Sequence, residues 1–469
     1  MVYDFAIVGA GAAGLSVAYA AARLGLRVGL IERGAMGGEC LNTGCVPSKA
    51  LLAAAHAAQA MEEAARLGIR AGAPSISWEG VRAHVRRAID AAAPADSAER
   101  YRGLGADVIA GTARFVAPDT LEAAGRRIKA RRIVLAVGAR PAAPPIPGLD
   151  RVPYLTNETI FALKEPPEHL LIVGGGPIGL EMADAFAGLG AQVTIIEAAR
   201  VAGKEDAELA AQLRDLLRAK GVAIEEGAAI AAAEPGPALV LADGRRFAGT
   251  HLLVATGKRP ELEALDLAAG SVRATAQGIA TDAGLRSLSN RRVYAVGDVA
   301  DPEGVGPRAF THVGTYHAGI IVRRAVFHLP ARIDYRALPR VTYTDPELAQ
   351  AGMTEAEARQ AGHAVRVLRW TIAETDRARA EGDPRGEVKL VTARGRVLGA
   401  GILAPRAGEM IGIWTLAIAR RLPLRALADM IVPYPTLSEA GRRAAGTAYL
   451  GALFAPRARW LAALLARLP

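Results

Sequence analysis

Two thiols lie close together near the start of the chain, in the segment GGECLNTGCVPSK that covers positions 37–49. They belong to Cys40 and Cys45, the only cysteines in 469 residues. A thiol pair of this kind can carry electrons by forming and breaking a disulfide. Five α-helical steps rise about 7.5 Å, which exceeds the Cα separation of about 7 Å that a disulfide tolerates. We therefore predict that the chain bends at Thr43-Gly44.

A helix should begin directly at this thiol pair. Pro47 suits the first turn of a helix, and the sequence continues as SKALLAAAHAAQAMEEAA. The positive end of the helix dipole would lower the pKa of a nearby thiol below about 8.5, which favours a thiolate at neutral pH. A purely structural disulfide is the alternative, but a bridge across four residues constrains little of the chain. The segment therefore predicts a redox-active pair.

A glycine-rich unit occurs twice and would position this chemistry. Each copy has an apolar strand, a GxGxxG turn, a helical stretch and a second strand that ends near a glutamate. The copies run from YDFAIVGAGAAGL to RVGLI and from HLLIVGGGPIGL to QVTII, and in both the glutamate lies 23 positions after the first glycine. The two sets are Gly9, Gly11, Gly14 and Glu32, and Gly174, Gly176, Gly179 and Glu197.

The spacing within each unit has a physical cause. The first glycine makes the tight turn, the second lets a pyrophosphate approach the backbone, and the third lets helix and strand pack closely. The helix N-terminus offers free N–H groups to the phosphates, and the glutamate is placed to accept hydrogen bonds from a ribose. A single GxGxxG is weak evidence, but two copies that agree in every element predict two dinucleotide sites.

Three further strands end in glycine. RRVYAVGDVA ends in Gly297-Asp298, which places a carboxylate suited to a polyol at a strand tip. RIVLAVGARP and HLLVATGKRP both end in Gly-x-x-Pro.

Together these motifs resemble those of the class I flavoprotein disulfide oxidoreductases, the pyridine nucleotide family related to dihydrolipoamide dehydrogenase, glutathione reductase and mercuric reductase. The resemblance covers nearly the full chain. It implies an α/β fold with two Rossmann-like dinucleotide-binding domains, one for FAD and one for NAD, and a C-terminal α+β dimerisation domain. The implied boundaries are 1–149 with 270–338 for the FAD domain, 150–269 for the NAD(P) domain, 339–450 for the interface domain and 451–469 for a tail.

The resemblance also implies roles for individual residues. Cys45 would lie against the flavin and form the charge-transfer thiolate, while Cys40 would face the substrate and carry out the interchange. Lys49 and Glu181 would meet as an ion pair near flavin N5. The residues implied for FAD are Gly9, Gly11, Gly14, Glu32, Lys49, Ala113, Gly138, Asp298, Thr311 and His312, and those for NAD are Gly174, Gly176, Gly179, Glu197 and Gly257.

One position departs from the disulfide-reducing members of the family. Their C-terminal motif reads His-Pro-Thr-x-x-Glu, and its histidine is the acid-base for the thiols of the partner subunit. Here the motif is YPTLSE, with Tyr434 at the histidine position and Glu439 matching the final glutamate. A phenol with a pKa near 10 cannot exchange protons at neutral pH as an imidazole does. Ordinary turnover of lipoamide or glutathione disulfide is therefore not favoured.

Two other features bear on this departure. Mercuric reductase also carries tyrosine at this position, beside the bound metal, but the present chain lacks that enzyme's second, C-terminal cysteine pair and its N-terminal metal-carrier module. A buried core tyrosine is the alternative for Tyr434. His312 could replace the missing proton donor, and the other histidines show no metal-ligand spacing, so no metal site is predicted.

The nicotinamide cofactor is expected to be NADH. Glu197 would accept a hydrogen bond from a ribose 2′-hydroxyl and repel a 2′-phosphate, although Arg200 and Lys204 follow closely and could offset part of that repulsion. Pro177 stands where some relatives carry a tyrosine that gates the nicotinamide pocket.

The last third of the chain resembles the family's interface domain. It would form a homodimer in which Tyr434 completes the site of the other subunit. Beyond it, PRARWLAALLARLP places apolar residues on one helical face with arginines around it. This tail could lie on an anionic membrane or pack on its own protein. The apolar residues are Trp460, Leu461, Leu464, Leu465 and Leu468, and the arginines are Arg457, Arg459 and Arg467.

Composition excludes several classes of function. The 57 basic and 47 acidic residues give a net charge of +10, but the paired arginines are scattered and do not form one stripe with stacking aromatics, so nucleic-acid binding is not favoured. No run of about 18 uncharged apolar residues predicts a membrane span. Two cysteines and no apolar leader favour a cytoplasmic protein.

The sequence therefore predicts an FAD-dependent oxidoreductase that passes electrons from NADH through the Cys40–Cys45 disulfide to a disulfide, persulfide or thiol-bound soft metal. Three alternatives stay open: a mercuric-reductase-like metal reductase, an NADH:quinone diaphorase that does not use the thiols, and a non-catalytic flavoprotein that binds NADH.

Overall fold

The first part of the chain forms a sheet whose core is parallel. The computed structural model describes residues 2–70 and 72–468. Strands β3, β2, β1 and β6 lie side by side and parallel, and β5 and β4 extend the sheet antiparallel. The elements are β1 (Val2–Val8), β2 (Val28–Glu32), β3 (Asp107–Ala110), β4 (Arg114–Ala117), β5 (Thr120–Ala123), β6 (Arg126–Leu135), β7 (Ala139–Pro141), α1 (Ala12–Arg23), α2 (Gly38–Asn42), α3 (Cys45–Glu63), α4 (Trp78–Asp96) and α5 (Ala98–Gly103).

The second part repeats this plan on a smaller scale. Strands β10, β9, β8 and β14 form a parallel sheet in that order, with a three-stranded antiparallel sheet of β11, β12 and β13 beside it. The elements are β8 (His169–Val173), β9 (Gln192–Ile196), β10 (Ala223–Glu225), β11 (Ile230–Glu234), β12 (Ala238–Leu241), β13 (Arg246–Ala248), β14 (His251–Val254), β15 (Lys258–Pro260), α6 (Pro177–Gly188) and α7 (Ala207–Ala219). β15 pairs antiparallel with β7, so the two Gly-x-x-Pro segments lie against each other.

The chain then returns to the first sheet. It adds β16 (Ile279–Thr281), β17 (Val293–Ala295), β18 (Ala300–Pro302) and α8 (Thr311–Ile321). β17 pairs parallel with β6, which brings the Gly297-Asp298 segment to the edge where β1 also ends. α8 packs closely on α1. The glycine at position 314 allows this approach, since a Cβ there would lie only 2.9 Å from the Cβ of Ala13. Central strands such as β1 and β17 are almost fully buried, as expected for parallel sheets covered on both faces.

The last third is an antiparallel sheet with helices. The strand order is β19, β20, β23, β22 and β21, and α11 packs on α13 at Gly441, where a Cβ would lie 2.6 Å from the Trp414 ring. The elements are β19 (Pro339–Thr342), β20 (Glu347–Gly352), β21 (Arg366–Thr371), β22 (Glu387–Ala393), β23 (Arg396–Ala404), α9 (Glu355–Gln360), α10 (Asp376–Glu381), α11 (Ala407–Arg420), α12 (Leu424–Ala428) and α13 (Glu439–Leu453). The predicted fold class is thereby confirmed.

The C-terminal tail forms a helix, α14 (Pro456–Leu465), that follows α13 at the surface of the subunit. None of its residues is buried, and Trp460 keeps 68% of its surface exposed. Within one subunit, the other described residues therefore do not bury this apolar face. No helix within residues 2–70 and 72–468 has the length and apolar character needed to cross a bilayer.

Candidate active site

The two cysteines lie on either side of a break between helices. α2 ends at Asn42 and α3 starts at Cys45, so the predicted bend at Thr43-Gly44 is where the helices separate. A Cβ at Gly44 would lie 3.0 Å from the Glu39 carbonyl oxygen, which is why the bend holds a glycine. Both cysteines are free thiols and partly buried.

The surroundings of Cys45 favour its thiolate. Hydrogen bonding from the Cys40 thiol is the largest cause that lowers the pKa of Cys45, to about 6, and the Thr311 hydroxyl and the charge of Lys49 act in the same direction. Burial and Glu39 oppose them. The Thr311 Oγ1 lies 3.2 Å from the Cys45 Sγ. The hydrogen bond to Cys45 also raises the pKa of Cys40, so these contacts favour a thiolate at Cys45 and a thiol at Cys40.

The reactivity of the reduced enzyme should follow this assignment. A pKa of about 6 makes roughly nine-tenths of Cys45 thiolate at pH 7, against a few per cent for an ordinary thiol. The fold lowers this pKa, so the thiolate is lost as the pH falls through about 6. We expect the rate of iodoacetamide alkylation at Cys45, measured by peptide mass spectrometry after pre-reduction, to rise with a midpoint near pH 6. A single midpoint above pH 8 would contradict the assignment.

Both glycine-rich turns have the geometry that the sequence predicts. Gly9 and Gly174 have φ values of 101° and 110°, in the region that side chains other than glycine rarely adopt. A Cβ at Gly14 would collide with the carbonyl oxygen of Gly9, and one at Gly179 with that of Gly174. The third glycine of each motif is therefore required by the turn itself.

The second glycine of each motif leaves open space over a helix start. A Cβ at Gly176 would meet no atom within 4 Å, and one at Gly11 would meet only the Cα of Gly38, at 3.8 Å. These glycines are the N-caps of α6 and α1, and neither helix has a side chain capping its first N–H groups. Uncapped N–H groups beside open space suit a phosphate, so both turns fit the pyrophosphate of a dinucleotide.

The two glutamates at the strand tips are held alike. In each case one carboxylate oxygen accepts from a backbone N–H of the glycine-rich turn, and the other from a residue two positions further along the chain. The donors are Ala10 N (2.6 Å) and Gly34 N (2.7 Å) for Glu32, and Gly175 N (2.7 Å) and Ala199 N (2.8 Å) for Glu197. The carboxylates are thereby fixed beside the turns, where a ribose would lie.

Arg200 does not offset the charge of Glu197 by pairing with it. Its guanidinium donates to the carbonyl oxygens of Gly203, at 3.1 Å, and Glu205, at 3.4 Å. These bonds direct the cation to the following loop.

Lys49 and Glu181 meet as predicted. The Lys49 Nζ lies 2.7 Å from the Glu181 Oε2, and the Glu181 side chain is 7% exposed. Sequence reasoning missed Tyr343, whose backbone N–H donates to Glu181 Oε1 at 3.2 Å and whose ring centroid lies 4.2 Å from the Lys49 Nζ. Tyr343 directly follows β19, so the last third of the chain contributes to the surroundings of the ion pair.

The segment implied for the flavin polyol is supported by a buried histidine. Asp298 lies in the short turn after β17, and burial raises its pKa. The His317 Nδ1 accepts from the Gly297 N–H at 3.0 Å, and its Nε2 lies 2.6 Å from the Tyr335 hydroxyl. Burial lowers the pKa of His317 to about 4, so the ring is neutral at pH 7 and holds the turn in place. Sequence reasoning did not identify His317 or Tyr335.

The remaining residues implied for the cofactors fall in three places. Ala113 is buried between β3 and β4. A Cβ at Gly138 or Gly257 would meet no atom within 4 Å. α8 begins at Thr311. The His312 Nε2 lies 3.0 Å from the Pro339 carbonyl oxygen, to which it can only donate. Because of this hydrogen bond, the His312 ring is held by the backbone and not by a thiol. Burial lowers the pKa of His312.

Tyr434 and Glu439 of the C-terminal motif differ in exposure and in hydrogen bonding. Tyr434 is 66% exposed, so the alternative of a buried core tyrosine is wrong. Its hydroxyl donates to the Asp376 Oδ2 at 2.5 Å, and this carboxylate raises the pKa of Tyr434. Glu439 is buried; its Oε1 accepts from the Arg443 Nε at 2.8 Å, while its Oε2 has no hydrogen-bond partner among the described residues.

The protein belongs to the pyridine nucleotide-disulphide oxidoreductases. The family model of that name matches residues 3–322, and the model of the family's dimerisation domain matches residues 338–445. The mercuric reductase of Streptomyces lividans is 37% identical over 95% of this chain and 96% of its own length. That of Acidithiobacillus ferrooxidans is 35% identical over 94% of this chain and 82% of its own length.

Two solved structures have the same fold over nearly the whole chain. The HOCl-induced flavoprotein disulfide reductase RclA from Escherichia coli gives a TM-score of 0.83 at 28% identity, covering 95% of this chain and 99% of its own. LpdA from Mycobacterium tuberculosis gives 0.86 at 26% identity, covering 95% and 100%. The chain is accordingly an oxidoreductase that uses FAD and NAD(P)H, and its dimerisation domain supports a homodimer.

Proposed function

We propose that the enzyme passes electrons from NADH through FAD and the Cys40–Cys45 disulfide to an external sulfur or soft-metal acceptor. The observation that most directly supports this proposal is the environment of Cys45. Cys45 is the first residue of α3, and the Thr311 hydroxyl lies 3.2 Å from its sulfur. Bound FAD would take a hydride from the nicotinamide and supply two electrons to the disulfide. With one proton, these electrons leave Cys45 as thiolate and Cys40 as thiol.

The protonation of the pair divides the work between its members. Cys40 carries the proton. After passing that proton to solvent, the Cys40 thiolate would attack the sulfur of a disulfide or persulfide, form a mixed disulfide and release one thiolate. Cys45 would then attack the Cys40 sulfur, reform the internal disulfide and release the second product. For a thiol-bound divalent metal ion, the Cys40 and Cys45 thiolates would first displace the original thiolate ligands. Transfer of two electrons from the two bound sulfurs to the metal would then reform the Cys40–Cys45 disulfide and release the reduced metal.

The acceptor should require little acid catalysis. Tyr434 hydrogen-bonds to Asp376, which raises the pKa of the phenol further above its ordinary range, so Tyr434 is a poor proton donor. Low-pKa disulfides, persulfides and thiol-bound soft metals release products that need no such proton. Similarity to mercuric reductases favours a thiol-bound soft metal ion among these, with Cys40 and Cys45 as the only thiols of the chain.

We further propose that Tyr434 acts across the dimer. In one subunit its hydroxyl contacts only Asp376 among the described residues, and its exposed ring is free to face the partner. The dimerisation domain that carries it extends over residues 338–445. The same proposal assigns residues 1–149 with 270–338 to FAD binding, 150–269 to NAD binding and 339–450 to the interface.

An anaerobic titration of the oxidised enzyme with NADH, followed by absorbance, tests the function. We expect a long-wavelength thiolate-to-flavin band at two electrons per subunit, and direct passage to colourless flavin would contradict the proposal. A parallel titration with NADPH should require a higher concentration, because Glu197 repels a 2′-phosphate and a hydrogen bond to a charged group contributes about 1.5–3 kcal/mol. Equal behaviour of the two cofactors would contradict the preference for NADH.

Two rival functions give different outcomes in the same preparation. Quinone reduction that survives alkylation of the reduced enzyme would favour an NADH:quinone diaphorase. Flavin bleaching by NADH, with no acceptor that reoxidises it faster than air, would favour a non-catalytic flavoprotein.

The tail gives the enzyme a means of peripheral membrane contact. Trp460 and Leu465 are 68% and 51% exposed, and no acidic residue follows Glu439 in the sequence, whereas five arginines do. Such a helix suits an anionic bilayer surface. We expect the holoenzyme to co-sediment with vesicles of phosphatidylcholine and phosphatidylglycerol but not with phosphatidylcholine alone, and Leu464→Asp to abolish this. Binding that Leu464→Asp leaves unchanged, or a change of oligomeric state in that variant, would contradict membrane contact.

A further inference from the structure

A charged cluster joins the redox-active helix pair to the nucleotide-binding part that follows it. The Lys258 Nζ donates to both carboxylate oxygens of Glu39, at 2.5 and 2.7 Å. The Asn157 Nδ2 donates to the Glu39 Oε1 at 2.8 Å and lies 3.5 Å from the Thr43 carbonyl oxygen. The side chains of Lys258 and Glu39 are only 20% and 30% exposed, and Asn157 is buried.

Glu39 and Lys258 each adjoin a residue of the proposed machinery, and Asn157 joins them. Glu39 precedes Cys40 on α2, and Thr43 is in the bend between the two thiols. Lys258 follows Gly257 and is the first residue of β15, in the segment after β14, at the sheet edge where a nicotinamide cofactor would bind. Asn157 lies in the connection between the first sheet and the second. These three places are more than 100 positions apart in sequence, so only the fold brings them together.

We propose that Glu39, Lys258 and Asn157 are positioning residues that form a clamp. The clamp would hold the segment at Gly257 against the bend between Cys40 and Cys45, and Lys258 would balance the charge of Glu39 beside the two thiols. The proposal rests on the dithiol being the reactive site. The clamp keeps the nicotinamide-binding edge and Cys40–Cys45 in one geometry. Lys258 neutralises the carboxylate that the clamp requires next to the thiolate.

Removing the charge of Glu39 and removing that of Lys258 should shift the pKa of Cys45 in opposite directions. The groups that act on Cys45 include Cys40, Thr311 and Lys49, which favour its thiolate, and Glu39, which disfavours it. Tyr343 is also close and contributes a neutral phenol. Asp298 feels the charges of both Lys258 and Glu39, in opposite directions, and is unchanged in every variant compared. Removing the charge of Glu39 should therefore lower the pKa of Cys45. Removing Lys258 leaves the Glu39 carboxylate uncompensated and should raise it. A role confined to packing predicts no such opposition.

The test uses the FAD-loaded dimer with Glu39→Gln, Lys258→Met and the double variant. Glu261→Gln is the matched control, since Glu261 follows β15 and its Oε2 lies 2.7 Å from Arg33 of the first sheet in a similar cross-contact. The first readout is the pH midpoint of iodoacetamide alkylation at Cys45 in the pre-reduced enzyme. The second is the rate of flavin reduction by NADH, with its apparent Kd, in single-turnover measurements.

We expect the alkylation midpoint to fall by about half a pH unit in Glu39→Gln and to rise by a similar amount in Lys258→Met. The double variant should return near the wild-type midpoint, while its flavin reduction stays about ten-fold slower because the clamp is gone. Glu261→Gln should change neither quantity. Midpoints that move in the same direction in both single variants, or do not move, would overturn the proposal. Neither readout involves the final acceptor, so an error in the proposed substrate leaves this test intact.

Discussion

Replacing Cys40 and Cys45 together by serine should lower kcat/KM for every sulfur or soft-metal acceptor by on the order of a thousand-fold or more, because a serine hydroxyl is neither a disulfide former nor a thiolate-like nucleophile at neutral pH. Reduction of the flavin by NADH should persist, since the glycine-rich turns and Glu197 lie outside the exchanged atoms. The measurement is steady-state turnover with a low-pKa aromatic disulfide and with thiol-bound mercuric ion, beside stopped-flow flavin reduction.

Single variants separate the two sulfurs. Cys40→Ser should keep a thiolate beside the flavin and therefore retain a long-wavelength band, while Cys45→Ser should lose it. Thr311→Val provides a milder control, because it removes one hydrogen bond to the Cys45 sulfur and should shift the alkylation midpoint upward without abolishing turnover. If the double serine variant turned over every acceptor at the wild-type rate, the thiols would have no part in the reaction.

Local geometry was predictable where neighbours in sequence determine it. The bend at Thr43-Gly44 follows from the reach of a disulfide, and the glycine-rich turns follow from the collisions that a Cβ would cause at Gly14 and Gly179. In each case the cause lies within a few residues of the position. The resemblance to a family added the Lys49–Glu181 pair, whose members are 132 positions apart.

The contacts that sequence reasoning missed all depend on the tertiary fold. Tyr343 reaches Glu181 from 162 positions away, and Lys258 reaches Glu39 from 219. No periodicity or motif links Tyr343 with Glu181 or Lys258 with Glu39, because the sequence does not show which distant segments the fold brings together. His317 lies on a helix face whose sequence indicates core packing. Its role depends on the Gly297 N–H, which the fold places against its ring.

The C-terminal tail illustrates a different limit. Its amphipathic pattern correctly indicates a helix with one apolar face, but a pattern does not identify what covers that face. No residue of α14 is buried, so the rest of the same subunit does not cover this face. A partner subunit and an anionic surface are then the two coverings to distinguish, and the vesicle experiment with Leu464→Asp separates them.

Lys49→Met should destabilise the protein and weaken the Cys45 thiolate together. Glu181 would keep its carboxylate 7% exposed with only the Tyr343 N–H as partner, and breaking a fully buried pair costs about 3–5 kcal/mol. Lys49 is itself 38% exposed, so solvent already screens part of the pair and about 1–3 kcal/mol is the expected loss. Urea unfolding of the holoenzyme, monitored by flavin fluorescence, measures it.

The double variant Lys49→Met with Glu181→Leu discriminates charge pairing from packing at this pair. It removes both charges at once, so stability should recover most of the loss seen in Lys49→Met. The thiol should not recover, because Lys49 lowers the pKa of Cys45 directly and no other cation replaces it. We therefore expect the alkylation midpoint of Cys45 to stay raised in both variants. Recovery of both quantities would mean that Lys49 acts on the thiol only through the local fold, and recovery of neither would mean that the ion pair itself stabilises this part of the molecule.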